Sequence, residues 1–226
     1  MELKNGLQLD FLGHSGFLIT IKNGNEKRIA IDPYNVSPSV GNADFILITH
    51  SHYDHCSIKD IEKVKKLGTV IICPADVQSK ITKIKDIKME LIEAGEEITI
   101  GSMKIEALPA YNTDKEFHTK KDQWVGYLIK LKETIIYHAG DSDKIPEMER
   151  LSGYGKHGNN FIALLPVSGK YVMDAEQAAE VASIIGVDLA IPMHYGSGVA
   201  GTIEDAKTFV EICKQEGIRA EILEKV

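Results

Sequence analysis

The sequence predicts an α+β protein in which layers of β-sheet are covered by helices. Three observations support this class: alternating apolar residues open the chain, continuous apolar runs mark buried strands further on, and capped amphipathic helices follow several of those runs. Strands that come first, followed by strands alternating with helices, are typical of such layers. No linker or low-complexity run interrupts the 226 residues, so we expect a single domain over residues 1–226.

The first part of the chain predicts an antiparallel meander. Residues 7–12 alternate between apolar and polar, residues 17–21 and 28–31 form the next two strands, and residues 23–25 form the turn between those two. Residues 45–49 are continuously apolar, which indicates a strand buried on both faces.

Cap residues locate the helices. Ser57, with Asp60 three positions later, is typical of a helix start, and the apolar stripe that follows runs to Leu67 before Gly68 ends it. Further helices are predicted from Pro74 to about residue 84, after Asp174 with Gln177, and after Thr202 with Asp205. The remaining predicted strands are residues 69–73, 98–100, 103–108, 125–131, 134–137, 163–167, 189–192 and 220–223.

The most distinctive motif is His-Ser-His-Tyr-Asp-His over residues 50–55, directly after the buried run. Residues two apart on an extended chain point the same way, so His50 and His52 can bind one metal ion. Asp54 and His55 lie on the turn that follows and can bind a second ion. Imidazole and carboxylate ligands together suit zinc, and also manganese or iron.

This His-x-His-x-Asp-His motif resembles the signature of the metallo-β-lactamase-fold hydrolases, and residues 13–196 resemble their ascorbate-6-phosphate lactonase-like branch. The resemblance implies a four-layer αβ/βα sandwich of two mixed sheets flanked by helices. It also implies two divalent metal ions, zinc foremost, and a metal-bridged hydroxide that attacks a carbonyl or phosphoryl centre. The expected substrate is a small, anionic lactone, ester or phosphoester.

The resemblance assigns further ligands. Asp141 matches the Ala-Gly-Asp motif whose carboxylate bridges both ions, and His194 matches the last metal histidine of the branch. Many relatives carry a histidine where this chain has Asn112. Asn112 could supply its amide oxygen, which is a weak ligand for zinc, or His118, six residues later, could fill that position. His118 could instead contact the substrate or be an ordinary loop histidine. The expected metal ligands are therefore His50, His52, Asp54, His55, His118, Asp141 and His194.

Other residues are candidates for supporting roles. His14 matches a Gly-His-Ser near the start of this branch and would contact a ligand or the substrate, with a buried structural histidine as the alternative. Asp32, before Pro33, would orient a ligand histidine through the second ring nitrogen of that histidine. Asp54 would help to hold the nucleophile, and His118, His14 or a metal-bound water would protonate the leaving group.

The polar loop of residues 109–123 is longer than a simple connection, which is typical of functional or mobile loops. It carries His118 between Lys115 on one side and Lys120 and Lys121 on the other. These lysines would either attract anions or form a solvated surface.

Composition limits the classes of protein. A net charge of −7 disfavours a nucleic-acid partner, and no run of 18 apolar residues predicts a membrane span. The amino-terminal residues lack the apolar core of a signal peptide, and three widely spaced cysteines fit a reducing compartment, so we expect a cytoplasmic protein. The sequence is also compatible with a homo-oligomer.

Two alternative functions stay open as well. One is a phosphodiesterase similar to the RNase Z-type tRNA 3′-processing endonucleases, which share the fold but carry an inserted arm that this sequence lacks. The other is a non-catalytic metal-binding or ligand-binding domain, which the asparagine at position 112 favours.

Overall fold

The computed structural model of the chain describes residues 1–22, 24–155 and 158–226. The chain forms two compact units, Met1–Ile92 with Leu223–Val226, and Glu93–Ile222. Each unit contains one mixed six-stranded sheet with flanking helices, which confirms the predicted α+β class with two mixed sheets. The expectation of a single domain over residues 1–226 stays a prediction.

The sheet of the first unit has its strands in sequence order. The strands are β1 (Leu7–Gly13), β2 (Gly16–Ile21), β3 (Lys27–Ile31), β4 (Phe45–Leu47), β5 (Thr69–Cys73) and β6 (Ile87–Leu91), with helices α1 (Ile58–Val64) and α2 (Ala75–Ile81). Strands β1 to β3 are antiparallel, and β3 to β6 are parallel. Apolar side chains of the strands, such as Ile46 and Ile71, pack with Ile61 and Val77 of the two helices in a buried core.

This topology brings several polar residues to one edge of the sheet. Because β3 and β4 are parallel, Asp32 and His50, which follow them, lie at the same edge. The turn between β1 and β2 carries His14 and lies at this edge too, since Phe17 at the start of β2 pairs with Ile31 at the end of β3.

The sheet of the second unit runs in the order β12-β11-β10-β9-β8-β7. Its strands are β7 (Glu97–Ile100), β8 (Met103–Pro109), β9 (Val125–Leu131), β10 (Thr134–His138), β11 (Asn160–Pro166) and β12 (Leu189–Met193), with helices α3 (Ala175–Ile185) and α4 (Ile203–Gln215). Strands β7 to β10 are antiparallel, and β10 to β12 are parallel.

One edge of this second sheet also collects polar residues. Asp141, Ser168 and His194 follow the carboxyl ends of the parallel strands β10, β11 and β12. The loop that joins β8 to β9 begins and ends at the same edge, because Pro109 pairs with Val125. The sheet therefore positions the loop that carries His118 beside these residues.

Two predicted helix starts are confirmed by their hydrogen bonds. Asp174 and Gln177 form a reciprocal capping box at the start of α3, and Thr202 and Asp205 form one at the start of α4. The predicted turn after β2 includes Gly24, which has φ of 77°, and Asn23, which lies outside the described residues. Short 3₁₀ turns occur at Lys4–Gly6, Pro38–Val40, Lys120–Asp122 and Pro146–Leu151.

Three predictions of local structure were wrong. Helix α1 ends at Val64, and Leu67 is exposed instead of buried, because the Lys66 N–H donates to the Thr69 hydroxyl in a turn. Residues 220–223 form only one bridge, between Ala220 and Ala190, where a closing strand was predicted. Strand β6 was missed, because its apolar residues are mostly exposed and alternate with charged ones.

Within the described ranges, no helix has the length and apolar character needed to cross a membrane.

Candidate metal centre

The first unit holds the residues of the 50–55 motif at the end of β4. The rings of His50 and His52 are 4.7 Å apart, and each offers a ligand nitrogen within 4.8 Å of the other. The Thr49 hydroxyl donates its only proton to Oδ2 of Asp32, at 2.6 Å. Nδ1 of His50 lies 2.9 Å from the same hydroxyl and therefore donates to it, which leaves the lone pair of His50 on Nε2.

Asp32 is fully buried and bonds to two residues of the motif region. Its Oδ1 accepts from the Thr49 N–H at 2.8 Å, and its Oδ2 accepts from the Thr49 hydroxyl and from Nδ1 of His55, also at 2.8 Å. A carboxylate on Nδ1 selects the tautomer of His55 whose Nε2 carries the lone pair. Asp32 thus orients His55 directly and His50 through Thr49.

Asp54 lies between two buried histidines. Its Oδ2 is 2.9 Å from Nε2 of His14 and 3.6 Å from Nε2 of His55. The ligand atoms of His14, Asp54 and His55 all lie within 4.8 Å of one another. His14 has φ of 57°, a left-handed conformation that histidine adopts more often than most residues other than glycine, and it lies in the turn after β1.

The second unit holds Asp141 between two other buried histidines. Asp141 Oδ2 lies 3.1 Å from Nε2 of His194 and 3.4 Å from Nε2 of His118. Gly140 before it has φ of 64°, and a Cβ there would lie 2.8 Å from the Val125 carbonyl oxygen, so only glycine permits this turn.

Each of these histidines has a second partner at Nδ1. Nδ1 of His194 lies 2.8 Å from the Ser168 hydroxyl. Nδ1 of His118 lies 3.0 Å from both the Asn112 Oδ1 and the Tyr171 carbonyl oxygen. Both oxygens are acceptors, so Nδ1 of His118 is the protonated nitrogen, and a neutral imidazole has its lone pair on Nε2.

The donor atoms therefore fit a metal site. His55 and His118 each direct an Nε2 lone pair at a carboxylate oxygen, of Asp54 at 3.6 Å and of Asp141 at 3.4 Å. Two lone pairs that face each other at such distances repel unless a metal ion or a proton lies among them. Imidazole nitrogen and carboxylate oxygen are ligands that zinc, manganese and iron share.

Two of the three loop lysines, Lys115 and Lys120, form ion pairs with carboxylates. Lys115 pairs with the buried carboxylate of Asp143 and with Asp114, and Lys120 pairs with Glu147 at 2.8 Å. Asp143 also accepts from the Thr113 N–H at 2.9 Å. These pairs hold the loop before and after His118 and offset the charge that an anion-attracting surface would need.

Sequence reasoning missed four of these contacts. Thr49 precedes the motif directly, and a hydroxyl beside a ligand histidine is the signal that could have identified it. Ser168, the Tyr171 carbonyl and Asp143 are distant in sequence from the histidines or loop residues that they hold, and no local pattern marks them.

Comparison with known proteins agrees with this chemistry. A family model described as a β-lactamase superfamily domain matches residues 8–194. A UPF0173 metal-dependent hydrolase of Nanoarchaeum equitans is 30% identical over 223 residues, which cover 97% of each chain.

Solved structures of similar proteins have the same fold. A crystal structure from Parabacteroides distasonis, described as a metal-dependent hydrolase, has a TM-score of 0.80 and 32% identity, and the match covers 96% of this chain and 94% of that one. Igni18, a metallo hydrolase of Ignicoccus hospitalis, has a TM-score of 0.75 at 21% identity, covering 97% and 95%, which shows a shared fold. The chain belongs to the β-lactamase superfamily, has the metallo-β-lactamase fold, and is a member of the UPF0173 metal-dependent hydrolase family.

Proposed function

We propose that this metal-dependent hydrolase is dinuclear and acts on a small, anionic lactone, ester or phosphoester. One observation supports this proposal most directly. Nε2 of His55 faces an oxygen of Asp54, and Nε2 of His118 faces an oxygen of Asp141. The proposed metal ligands are His50, His52, Asp54, His55, His118, Asp141 and His194. Zinc is the first candidate, with manganese or iron as alternatives that suit the same donors.

His118, and not Asn112, fills the position at which this chain departs from many relatives. The Asn112 Oδ1 is already an acceptor for Nδ1 of His118, so Asn112 supports the ligand that replaces it. The Asn112 N–H also donates to the His118 carbonyl oxygen at 2.6 Å, which closes the loop between the two residues. Asn112 therefore acts as a positioning residue for His118.

The two bound ions would lower the pKa of a coordinated water and neutralise charge that develops on the substrate. Around that chemistry, Asp32 holds the His55 ring and Asp141 aligns His118 with His194. Nε2 of His14 lies 2.9 Å from Oδ2 of Asp54 and so positions the carboxylate that would help to orient the nucleophile. His14 is the proposed general acid, since Nδ1 of His118 donates to two protein oxygens and its Nε2 is assigned to a metal.

The proposed substrate class follows from the resemblance and from the metal chemistry. Resemblance to the lactonase-like branch supports a lactone, and a dinuclear centre serves carbonyl and phosphoryl substrates alike. A panel of one lactone, one carboxylic ester, one phosphomonoester and one phosphodiester would rank these classes by kcat/KM.

Metal content per chain, measured by elemental analysis after growth with added zinc, manganese or iron, tests the proposal. We expect two ions per chain, and hydrolysis of at least one class of substrate that a chelator abolishes and the metal restores. One ion or none in metal-replete protein would overturn the dinuclear mechanism. Two ions without hydrolysis of any class would favour a metal-binding domain without catalysis.

A further inference from the structure

One short loop contacts both metal-ligand histidines of the second unit. Residues 168–171 follow β11, and Ser168 Oγ lies 2.8 Å from Nδ1 of His194. Three residues later, the Tyr171 carbonyl oxygen accepts from Nδ1 of His118 at 3.0 Å. Hydrogen bonds therefore fix this loop relative to His118 and His194.

The loop is held in one conformation by its own hydrogen bonds. The Gly169 N–H donates to the Met173 carbonyl oxygen at 3.0 Å, and the Lys170 N–H donates to the Ser168 carbonyl oxygen at 2.8 Å. Gly169 has φ of 71°, and a Cβ there would lie 3.2 Å from Cβ of Asp174. Side chains on this loop are therefore displayed on a fixed backbone.

Tyr171 forms a pair of rings with Phe117, the residue before His118. The ring centroids are 4.6 Å apart and the ring planes are 81° apart, an edge-to-face arrangement. The Lys170 Nζ lies 4.9 Å from the centroid of the Tyr171 ring. We refer to Phe117 and Tyr171 as the aromatic pair.

The aromatic pair exposes apolar surface beside the candidate metal ligands. Phe117 is 54% exposed. Burial of apolar surface is favourable by roughly 25 cal/mol of free energy per Å², so this exposed ring could bind another apolar group. Neighbouring Cα atoms are about 3.8 Å apart, and the two side chains reach roughly 4 Å and roughly 5 Å from them, so the centre of the Phe117 ring lies within roughly 12 Å of the His118 ligand nitrogen. A small substrate whose reacting bond lies at the metal would reach that ring.

We propose that the aromatic pair binds a planar aromatic or heteroaromatic ring of the substrate, attached close to the bond that is hydrolysed. This inference rests on the proposed function and narrows its substrate class to aryl or heteroaryl esters and phosphoesters. A ring that packs on Phe117 gains both apolar burial and aromatic contact. The Lys170 ammonium, which lies over the Tyr171 ring, supplies positive charge for an anionic substituent on the bound ring.

Two phosphonates separate ring binding from binding of the anionic group. Phenylphosphonate and methylphosphonate carry the same headgroup and are not hydrolysed, so calorimetric titration of the metal-loaded protein gives a dissociation constant for each. We expect the wild-type chain to bind phenylphosphonate about fivefold to tenfold more tightly. In Phe117→Leu and Tyr171→Leu, which retain the backbone, we expect that preference to fall to about twofold or less, with methylphosphonate affinity and metal content unchanged.

Leu67→Ala is the matched control, because Leu67 is an exposed apolar residue of the first unit. This variant should prefer phenylphosphonate over methylphosphonate as strongly as the wild type does. Equal affinity of the wild type for both phosphonates would overturn the inference while leaving a dinuclear metal content, and the proposed function, intact. An equal loss of affinity for both phosphonates in Phe117→Leu would also overturn the inference, because the aromatic pair would then only position His118. Absence of metal in the wild type would instead refute the proposed function.

Discussion

The carbonyl oxygen of Tyr171 lies 3.0 Å from Nδ1 of His118, although the two residues are 53 positions apart in the chain. A main-chain oxygen can only accept a hydrogen bond, so this contact determines which ring nitrogen of His118 carries the proton. The other nitrogen is then the one that can bind a metal. This contact thus leaves Nε2 as the nitrogen that the proposed ligand role of His118 requires.

The relation between His118 and Asn112 leads to the first prediction. We expect His118→Ala to lose about one of two metal ions, because it removes a ligand atom. Asn112→Ala should retain both ions with weaker affinity, since the Tyr171 carbonyl still holds Nδ1 of His118. Elemental analysis of both variants checks this, and loss of an ion from Asn112→Ala alone would show that the amide is the ligand.

Asp32→Asn is expected to weaken metal binding about 10-fold to 100-fold, because the buried carboxylate that orients His55 and Thr49 loses its charge. Competition with a chromophoric chelator measures the affinity. Asp10→Asn is the control, since Asp10 lies in the same unit and bonds to Gln8 and the amino terminus. If the two variants bound metal equally well, the orienting role of Asp32 would be refuted.

The ion pair between Lys115 and Asp143 should stabilise the loop that carries His118. Lys115→Met leaves a buried carboxylate without its ammonium partner, and we expect it to lower the free energy of unfolding by about 1–3 kcal/mol. The double variant with Asp143→Asn should recover part of this loss, because no uncompensated charge is then buried.

Urea denaturation of the single and double variants gives these free energies. Lys104→Met serves as the control, because Lys104 and Glu97 form a more exposed pair for which we expect less than about 1 kcal/mol. An effect of Lys115→Met no larger than that of the control would contradict the prediction.

The cysteines should be unreactive in the native protein. Burial raises the pKa of Cys56 and Cys73 to about 12 and that of Cys213 to about 11, and thiolate is the reactive form. At pH 8 the three thiols are therefore neutral, and reactivity would increase only as the pH rises toward those values. An aromatic disulfide reagent should titrate no thiol rapidly in the native chain and three in guanidinium; a rapidly modified native thiol would contradict this.

Local patterns in the sequence were sufficient for much of the fold and for part of the candidate site. The 50–55 motif is detectable because its ligands lie within six residues, and the strand before it determines which of them point the same way. The capping boxes at Asp174 and Thr202 are detectable for the same reason, since a cap involves residues three positions apart. Strand β6 was missed because its exposed, lysine-containing pattern is equally typical of a solvated surface.

Local patterns were enough to predict the α+β class and the 50–55 motif, and resemblance added the candidates Asp141 and His194. The contacts that hold the candidate histidines exist only in the folded chain: Asp32 bonds to His55, Ser168 to His194, and the Tyr171 carbonyl to His118. A hydrogen bond depends on distance in space, and residues far apart in sequence meet only after each sheet brings the ends of its own strands together.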